Sequence, residues 1–562
     1  MSTQNRYNQK EIGAQNPLFS ASRTTIETAF LGNNVIKIHD LKEAYELALN
    51  SPGTIVTDML VYEPEKIGLK ADSRILLFND GETTGRFAGG RKILGEKGVT
   101  EKAYTALLRE AVYGTRDRKL YHAQVFIGLN EDFMVKAHLL IPEGHENILY
   151  NWMLNFQYTC NQYQKMYDDS VKLEGEGDIY IFSDPDWKNS GHLHGLTYFD
   201  SEHNCAAILG MRYFGEHKKG TLTLAWGIAN RNQYVSCHGG LKSYSLEDDK
   251  KYVMGVFGLS GSGKSTITHS KHDSKYDIEI VHDDAYVIST KDGSSVALEP
   301  SYFDKTQDYP LTEPANKFLI TVQNCGACLD EEGKCVLVTE DIRNGNGRAI
   351  KSKLWAENRV DKLEAPINAI VWIMKDPALP PVIKVKDPVL AAVMGATLAT
   401  KRSSAEKILK NVDEDALVIE PYANPFRTYP LKNDYDKFKH LFQQKQVDCF
   451  IVNTGHFVDK KVPKEMTLKI IEQIVEGTNP FIEWGNFSDF EIMMIEGFMP
   501  DMTDSYYLEM LEKSMKERIQ FLYSRKALND GRDVLPVESL DALVKVINEI
   551  DDYIQKHYMK AM

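Results

Sequence analysis

Short apolar runs alternate with amphipathic stretches along most of this chain, a pattern typical of a mixed α/β protein. Runs rich in β-branched and aromatic residues predict strands at 75–78, 121–129, 137–141, 178–182, 253–257, 278–281, 367–374 and 449–452. Apolar residues at helical spacing predict helices at 41–49, 101–113, 146–158, 388–400, 463–476, 506–522 and 537–558. The stretch 239–251 opens with two glycines and contains a run of charges, so it predicts a linker between two large domains.

Bulk composition narrows the classes of function. Acidic residues outnumber basic ones by 80 to 66 over 562 residues, and the formal net charge of −14 argues against a general surface for nucleic acid or anionic membranes. We expect neither a secretory signal nor a membrane span, because the N-terminus is polar and no long apolar run occurs. Seven cysteines in a chain of this length do not make a disulfide scaffold, so we expect reduced thiols and a cytoplasmic protein.

The stretch GLSGSGKS at residues 258–265 fits the phosphate-binding loop pattern at every required position. Its glycines let successive backbone N–H groups point at one anion, Lys264 can reach the outer phosphates, and Ser265 can hold a nucleotide-bound Mg²⁺. A glycine-rich turn before a helix is the simpler alternative, but the signals for strand, loop, lysine and helix all fall in the required order. The pattern therefore predicts a nucleoside triphosphate site.

Other candidate groups are ambiguous on their own. Asp283 and Asp284 follow a predicted strand, where P-loop proteins hold their metal ion, although paired aspartates also occur in turns. A glycine-rich loop carries Arg86 and Arg91, and it suits either an anion site or a plain surface loop. Residues 216–219 (EHKK) are expected to form a solvated, charged turn before an apolar strand.

Taken together, these loops resemble those of the ATP-dependent phosphoenolpyruvate carboxykinase family, in the same order, from about residue 75 to residue 477. The resemblance rests on several motifs rather than one. They are the phosphate loop at 258–266, Asp283-Asp284, Thr84-Gly-Arg86, the Y-x-G-E-x-K-K-G match at 213–220, His238, Thr339-Glu340-x-x-Arg343, and Asn453-Thr-Gly455 with Thr467.

The resemblance implies an α/β, two-lobed fold. A mixed α/β N-terminal lobe (1–248) would supply most of the oxaloacetate site, and a P-loop-containing mononucleotide-binding lobe (249–562) with a helical C-terminal extension would hold ATP, with the active site in the cleft between them. The implied reaction converts oxaloacetate and ATP to phosphoenolpyruvate, CO₂ and ADP, as in gluconeogenesis or anaplerosis. The implied cofactors are ATP, Mn²⁺ and Mg²⁺. The partners would be small molecules, with no nucleic acid or membrane, and the protein would be a monomer or a small homo-oligomer.

Matched residue by residue, the resemblance gives a full set of expected roles. The catalytic residues would be Arg86, Tyr213, Lys219, Ser260, Lys264 and Arg343. The nucleotide would be bound by Gly258, Leu259, Ser260, Gly261, Ser262, Gly263, Lys264, Ser265, Thr266, Lys305, Arg343, Lys461 and Thr467. Lys219, His238 and Asp284 would bind Mn²⁺, and Ser265 would bind Mg²⁺; without the resemblance, a histidine such as His238 is more often structural. A lysine ligates a metal only as the neutral amine, so the resemblance also implies a neutral Lys219.

The sequence departs from the family pattern mainly around the substrate. Ala285 stands where another acid is usual, and residues 87–91 (FAGGR) replace S-P-K-D-K. Residues 300–305 (PSYFDK) keep Lys305 but lose flexible glycines, and Lys461 stands where an arginine is usual. Two alternatives therefore stay open, namely a kinase of the same fold with a different acceptor and a catalytically silent nucleotide-binding regulator. The choice of ATP over GTP follows from the resemblance alone.

Overall fold

The computed structural model describes residues 1–78, 84–259, 261–306, 309–340, 346–401 and 417–557. Two predicted site residues, Ser260 and Arg343, lie outside the described residues. The described chain divides into two compact units: unit 1 contains residues 1–232 and 296–361, and unit 2 contains the rest. Residues 296–361, which the sequence-based division placed in the C-terminal lobe, therefore pack with the N-terminal part of the chain.

Helices begin largely where the sequence pattern predicts them. In the described residues of unit 1 they are Ala21–Ala29, Leu41–Leu49, Glu101–Gly114, Glu146–Asn155, Asn161–Asp169 and Phe214–Arg231, and in those of unit 2 Lys264–His269, Pro388–Ala396, Leu431–Gln444, Lys464–Glu476, Ser505–Ala527 and Val537–His557. Side chains cap several starts, because the Asp40, Thr100 and Asp387 oxygens accept the N–H groups of Glu43, Ala103 and Leu390. Among the described residues, no helix combines the length and the apolar character that crossing a membrane requires.

Unit 1 contains a large mixed sheet packed against helices. Its strands lie in the order Val35–Lys37, Leu120–Asn130, Phe133–Pro142, Ile179–Asp184, Cys205–Leu209, Leu196–Asp200 and Arg91–Ile93, and Gln157–Tyr158 also pairs with Leu120–Asn130. Every residue of the strand Phe133–Pro142 is buried. A core that includes Ile26, Leu108 and Phe182 joins two helices to this sheet.

A second sheet of unit 1 is assembled from distant parts of the chain. Its order is Tyr302–Lys305, Arg348–Lys351, Leu319–Gln323, Arg74–Phe78 and Ile55–Leu60. Arg74–Phe78 runs parallel to Leu319–Gln323, so the carboxyl ends of both strands lie at the same edge of the sheet. A separate hairpin pairs Gly326–Leu329 with Cys335–Val338.

Unit 2 is built on one mixed sheet. Its order is Lys362–Leu363, Ser295–Ala297, Ala285–Ser289, Tyr234–Ser245, Lys251–Phe257, Ala369–Met374, Asp448–Asn453, Val382–Val385, Phe490–Met493 and Phe481–Glu483, with Ile278–His282 also paired to Tyr234–Ser245. Two small ladders join Ala399–Lys401 to Leu417–Ile419 and His456–Phe457 to Lys460–Lys461. The neighbours Lys251–Phe257, Ala369–Met374 and Asp448–Asn453 are parallel, so their carboxyl ends meet at one edge. The mixed α/β class is thus confirmed.

The predicted linker at 239–251 is wrong. Tyr234–Ser245 is a long strand whose central residues are buried, and it lies next to Lys251–Phe257 within the sheet. Gly239 and Gly240 are needed for close packing: a Cβ on Gly240 would lie 1.9 Å from Thr268 Oγ1, and one on Gly239 would lie 2.7 Å from the Val256 carbonyl oxygen. The glycines that suggested a flexible segment therefore mark close approach of neighbouring elements.

The predicted charged turn at 216–219 is also wrong. These residues belong to the helix Phe214–Arg231, which is buried over nearly its whole length. A helix that is buried on all sides has no alternation of apolar and polar faces in its sequence. The apolar second half of this helix therefore resembles a buried strand in sequence. Two other predicted helices end earlier than expected, at Asn155 and at Ala396, and each gives way to a short strand.

The C-terminal helices are tied into the sheet of unit 2 by a buried ion pair. Arg518 Nη2 lies 2.8 Å from Asp376 Oδ2, in the turn after the strand Ala369–Met374, and both side chains are at most 5% exposed. Ser514 donates a hydrogen bond of 2.7 Å to the same carboxylate oxygen. Asp376 also presents its backbone carbonyl to the Asn453 side-chain amide at 2.8 Å. The helical extension therefore fixes the turn at the edge where the parallel strands end.

Replacing Arg518 with methionine is expected to lower the free energy of unfolding by about 3–5 kcal/mol, because the buried Asp376 carboxylate then lacks its charged partner. Urea unfolding would measure it. The matched control is Lys513→Met in the same helix, where the side chain is 77% exposed and its ion pair with Glu517 spans 4.0 Å. This control is expected to change the free energy of unfolding by less than about 1 kcal/mol. An equal effect of both changes would contradict the role of the ion pair.

Candidate active site

The phosphate loop of unit 2 has the backbone that its glycines predict. It follows the strand Lys251–Phe257 and leads into the helix Lys264–His269. Gly261 and Gly263 have φ values of +83° and +101°, where side chains are strained. A Cβ on Gly258 would lie 2.3 Å from Ser262 Oγ. Gly261 and Gly263 are thus required by their backbone conformation, and Gly258 is required because a side chain there would clash with Ser262.

Neighbouring strands hold the loop from their carboxyl ends. Thr454, just after Asp448–Asn453, donates its hydroxyl to the Ser262 carbonyl at 2.7 Å. Lys375, just after Ala369–Met374, donates to the Gly261 carbonyl at 2.9 Å. Lys375 did not stand out in the sequence, because only the parallel order of the strands brings it to the loop. The loop is therefore supported by both strands that follow it in the sheet.

A cavity of about 550 Å³ lies beside this loop within unit 2. Its lining includes Gly261, Gly263 and Thr266 on one side and the predicted nucleotide residues Lys461 and Thr467 on another. Thr467 is buried, whereas Lys461 and Ser265 are exposed. This volume falls within the usual range for cofactor-sized ligands.

The two aspartates of the pair point to different partners. Asp284 Oδ1 lies 3.5 Å from Lys264 Nζ and 3.1 Å from His238 Nε2. Asp283 instead faces His269, with 3.4 Å between Oδ2 and Nε2. Burial would raise the pKa of Asp283, but the hydrogen bond and charge of His269, with the charges of His282 and Lys264, hold that pKa below its ordinary value. Asp284 is therefore the aspartate that meets the phosphate loop.

The geometry around His238 fits a bound cation. Its Nδ1 contacts the backbone carbonyl of Ala423, so Nδ1 carries the proton in the neutral ring and Nε2 is left with a lone pair. That lone pair faces a carboxylate oxygen of Asp284, which also has no proton to offer when ionised. Two facing acceptors are what a metal ion uses as ligands. Over the described ranges, no group of three or more His, Cys, Asp and Glu side chains forms a metal cluster, so a further ligand would be of another type.

In unit 1, one buried glutamate pairs with two arginines. Glu216 Oε1 lies 3.1 Å from Arg91 Nη1, and its Oε2 lies 3.9 Å from Arg86 Nε. Arg91 also donates to Thr223 Oγ1 at 2.7 Å and stacks over the Phe199 ring. Burial lowers the pKa of Arg91 to about 10, and the nearby Arg86 charge acts in the same direction against the attraction of Glu216. Arg91 therefore stays protonated at neutral pH inside the unit.

Tyr213 joins this cluster and is bonded to a third arginine. Arg348 donates a hydrogen bond to the Tyr213 side chain, and both residues are 4% exposed. Burial raises the pKa of Tyr213, while the Arg348 charge and hydrogen bond and the Arg86 charge oppose the shift. The phenol is therefore a proton donor at neutral pH. Arg348 is the first residue of the strand Arg348–Lys351 and lies opposite Lys305 of the neighbouring strand Tyr302–Lys305.

Asparagines clamp the backbone that carries Arg86. Asn324 accepts the Thr84 N–H at 3.0 Å and returns a 2.8 Å bond to the Thr84 carbonyl, and Asn346 donates to that carbonyl at 2.7 Å. Gln323 accepts the N–H of Phe214, which begins the helix behind Tyr213, at 3.3 Å. The edge where the two parallel strands end therefore fixes both Arg86 and Tyr213.

The two adjacent lysines of the same helix differ in their surroundings. Lys218 is fully buried, with its Nζ 3.0 Å from Glu299 Oε1. Lys219, the predicted metal ligand, is half-buried, and its Nζ lies 5.7 Å from the Trp226 ring centroid. A cavity of about 810 Å³ in unit 1 is lined by Thr84, Phe87 and Tyr213 among others, so it adjoins the arginine cluster.

Of the predicted site residues, the structure brings Arg86 and Tyr213 together in unit 1, and Lys264, Asp284 and His238 together in unit 2. Ser260 and Arg343 are outside the described residues. Sequence reasoning did not single out Glu216, Arg348 and Asn324 as site residues. For Arg348 there was a signal, because it is the second arginine of the glycine-rich stretch at 336–348.

Comparison with known proteins identifies relatives. A family model described as phosphoenolpyruvate carboxykinase matches residues 78–502, most of the chain. A protein named phosphoenolpyruvate carboxykinase (ATP) from Aeropyrum pernix is 25% identical over 348 residues, which cover 57% of this chain and 67% of the relative. Another, named phosphoenolpyruvate carboxykinase (ATP) 2, from Salinibacter ruber, is 21% identical over 468 residues, or 76% of this chain and 82% of the relative. A phosphoenolpyruvate carboxykinase (ATP) from Eremothecium gossypii is 22% identical over 242 residues, which cover 40% of this chain and 42% of the relative.

Proposed function

The chain belongs to the ATP-dependent phosphoenolpyruvate carboxykinase family, and from this premise we propose that it converts oxaloacetate and ATP to phosphoenolpyruvate, CO₂ and ADP. The observation that carries the proposal is the buried cluster of Arg86, Arg348, Tyr213 and Glu216 in unit 1. A phosphate loop alone supports only nucleotide binding. Two buried guanidinium groups beside a phenol are suited to a small dianion such as oxaloacetate.

At the substrate, Arg86 and Arg348 would bind and orient carboxylate groups, while Glu216 holds Arg86 in place. In the first step the bond between the terminal carboxylate carbon and the methylene carbon breaks. CO₂ leaves, and the electron pair moves into the enolate of pyruvate. Tyr213, which keeps its proton at neutral pH, would hydrogen-bond the reacting end. The positive charges of unit 1 thus favour the charge distribution of the enolate.

At the nucleotide, the phosphate loop would bind the triphosphate and Lys264 would contact its outer phosphates. The enolate oxygen forms a bond to the γ-phosphorus while the bond from that phosphorus to the bridging oxygen breaks, and ADP keeps the electron pair. Ser265, which is exposed at the start of its helix, would hold the nucleotide's Mg²⁺. Arg343, which the resemblance places near the transferred phosphoryl group, would stabilise charge on it. Lys461 and Thr467 would contact the base, and Lys305 stays a predicted nucleotide residue.

His238 and Asp284 would hold the catalytic metal ion, and the resemblance adds Lys219 as a third protein ligand. When bound, a Mn²⁺ ion would supply Lewis-acid stabilisation of developing negative charge. The fit rests on the facing lone pairs of His238 and Asp284. Lys219 would have to be neutral to serve, which makes its contribution pH-dependent.

A second candidate function is phosphoryl transfer to a different acceptor by the same fold. It is favoured by the cavity of about 810 Å³ in unit 1, which is large for oxaloacetate. It is also favoured by Phe87, which lines that cavity in a loop where the family pattern has polar groups. Under this alternative the same phosphate loop acts, but oxaloacetate is not consumed.

The test is the formation of phosphoenolpyruvate and CO₂ from oxaloacetate with ATP and Mn²⁺, followed in parallel with GTP. We expect one CO₂ for each phosphoenolpyruvate, dependence on the added nucleotide, and a preference for ATP. A folded protein that binds ATP and leaves oxaloacetate untouched would contradict the proposal and favour the second candidate. A protein that binds ATP but transfers phosphate to no metabolite offered would favour the silent regulator.

A further inference from the structure

A buried lysine lies behind the nucleotide pocket of unit 2. We propose that Lys242, through His272 and Glu472, is a positioning residue that ties the phosphate-loop helix to the helix forming the opposite wall of the pocket. It would set the affinity for nucleoside triphosphate without touching it. The inference rests on the proposed nucleotide site and adds a residue that neither the motif nor the family resemblance singles out.

Lys242 caps the phosphate-loop helix at its carboxyl end. It lies on the strand Tyr234–Ser245 and is fully buried. Its Nζ donates to the Ile267 carbonyl at 2.7 Å and to the Ser270 carbonyl at 3.2 Å. The last carbonyls of a helix lack partners within the helix and carry partial negative charge, so an ammonium group there stabilises the helix.

The third N–H of this ammonium group has an acceptor on a different segment. Lys242 Nζ lies 3.2 Å from His272 Nε2, and His272 Nδ1 lies 2.8 Å from Glu472 Oε1. The carboxylate can only accept, so Nδ1 carries the ring proton and Nε2 accepts from the lysine. The three donors of Lys242 thus meet three acceptors, and the chain of bonds continues to Glu472 on the helix Lys464–Glu476.

The two helices that this chain joins form two walls of one cavity. Ile267 lines the cavity next to the phosphate loop, and its carbonyl accepts from Lys242. Thr467 and Leu468 line the cavity from the other helix, and Leu468 lies four residues before Glu472. A change in the bonded chain would therefore alter the spacing between the phosphate side and the base side.

A lysine is a costly choice for this position. Burying an ammonium group requires complete pairing, and an apolar side chain of similar volume is commonly as stable. Burial lowers the pKa of Lys242 to about 7, although Glu472 opposes the shift. Burial and the Lys242 charge likewise lower the pKa of His272, again opposed by Glu472. The other titratable groups that face this cluster are Tyr244, Lys275 and Tyr276.

The protonation state of Lys242 predicts how ATP binding changes with pH. Below pH 7 the protonated amine supplies three donors to three acceptors. As the pH rises through about 7, the amine loses a proton and one acceptor then faces a lone pair. We expect ATP to bind more weakly above this pH. The bound nucleotide is itself an anion, so its binding is expected to take up protons at Lys242.

The test compares Lys242→Met with Lys136→Met, which removes a buried lysine of unit 1 whose ammonium lies over the Tyr167 ring. Titration calorimetry of the full chain with MgATP would give Kd at pH 6 and at pH 8.5. Lys242→Met is expected to raise Kd by roughly tenfold at pH 6, the effect of one charge-assisted hydrogen bond. It is also expected to lose most of the difference in Kd between the two pH values. Lys136→Met is expected to change neither quantity.

A second variant and a second readout guard against misfolding of Lys242→Met. Glu472→Gln removes only the terminal charge of the chain and is expected to raise Kd by about threefold at pH 6. Amide hydrogen exchange without nucleotide is expected to increase together at 264–270 and at 464–472 in both variants, and not in the control. Unchanged Kd and exchange in both variants would overturn the positioning role. If the unmodified protein binds no ATP, the proposed function fails. If amide exchange at 264–270 and at 464–472 also does not increase together in the variants, the proposed link between the two helices fails as well.

Discussion

Replacing Lys264 with alanine is expected to lower kcat for phosphoenolpyruvate formation by about 10³-fold, because one ammonium group aimed at the outer phosphates is lost. In the described structure Lys264 is 7% exposed, and its Nζ lies 3.5 Å from Asp284 Oδ1. The carboxylate therefore holds the lysine beside the phosphate loop. Removing the lysine would take away charge stabilisation from the proposed phosphoryl transfer.

The measurement is the steady-state rate with saturating ATP and oxaloacetate. Lys264→Arg keeps a charge but not the point geometry of an ammonium, so it is expected to recover only part of the rate. The matched control is Lys271→Ala, an exposed lysine shortly after the same helix, and its kcat is expected to stay within about twofold. A Lys264→Ala enzyme with more than a tenth of the normal rate would mean that the loop does not serve the reaction.

Arg348→Met is expected to lower kcat/KM for oxaloacetate by about 10²–10³-fold, because it removes a buried donor from the substrate cluster. Arg348 is bonded to Tyr213 and faces the same region of unit 1 as Arg86. Tyr213→Phe deletes the hydroxyl of the same bond. The double variant is therefore expected to lose less than the product of the two single effects.

Arg343→Met is the informative comparison, because the family resemblance assigns Arg343 to the transferred phosphoryl group, whereas the geometry places Arg348 beside Tyr213. The two arginines lie five positions apart in one glycine-rich stretch. If Arg343→Met is the more damaging change while Arg348→Met retains near-normal kcat/KM for oxaloacetate, Arg348 does not bind the substrate and Arg343 is the functional arginine of this stretch. ATP binding is expected to persist in both variants, and a thermal shift with ATP would check it.

The phosphate loop could be predicted from sequence because all of its requirements are local. Strand, glycines, lysine and helix follow one another within sixteen residues at 253–268. The separation of Asp283 from Asp284 could not be predicted, since it depends on His238 and His269 arriving from other elements. Similarly, the sequence predicts a surface turn at Glu216, because charged residues are seldom buried unless partners from distant segments pair with them.

Close packing also explains why residues 239–251 resemble a linker in sequence. Gly239 and Gly240 read as a linker, yet they are glycines because Val256 and Thr268 leave no room for a Cβ. The strand that contains them also carries His238 and Lys242. Local composition cannot report a neighbour that is contributed by another strand or helix.

The order of strands in the second sheet of unit 1 has a consequence for biosynthesis. Arg74–Phe78 has its parallel partner in Leu319–Gln323, so a nascent chain presents one half of this sheet long before the other half exists. At about 5–20 residues per second, the delay amounts to tens of seconds. During that time four buried residues of an apolar strand have no partner on one side. A ribosome-bound chain is therefore expected to need protection by chaperones until residue 351 has emerged, and a product that ends at residue 248 should aggregate rather than fold.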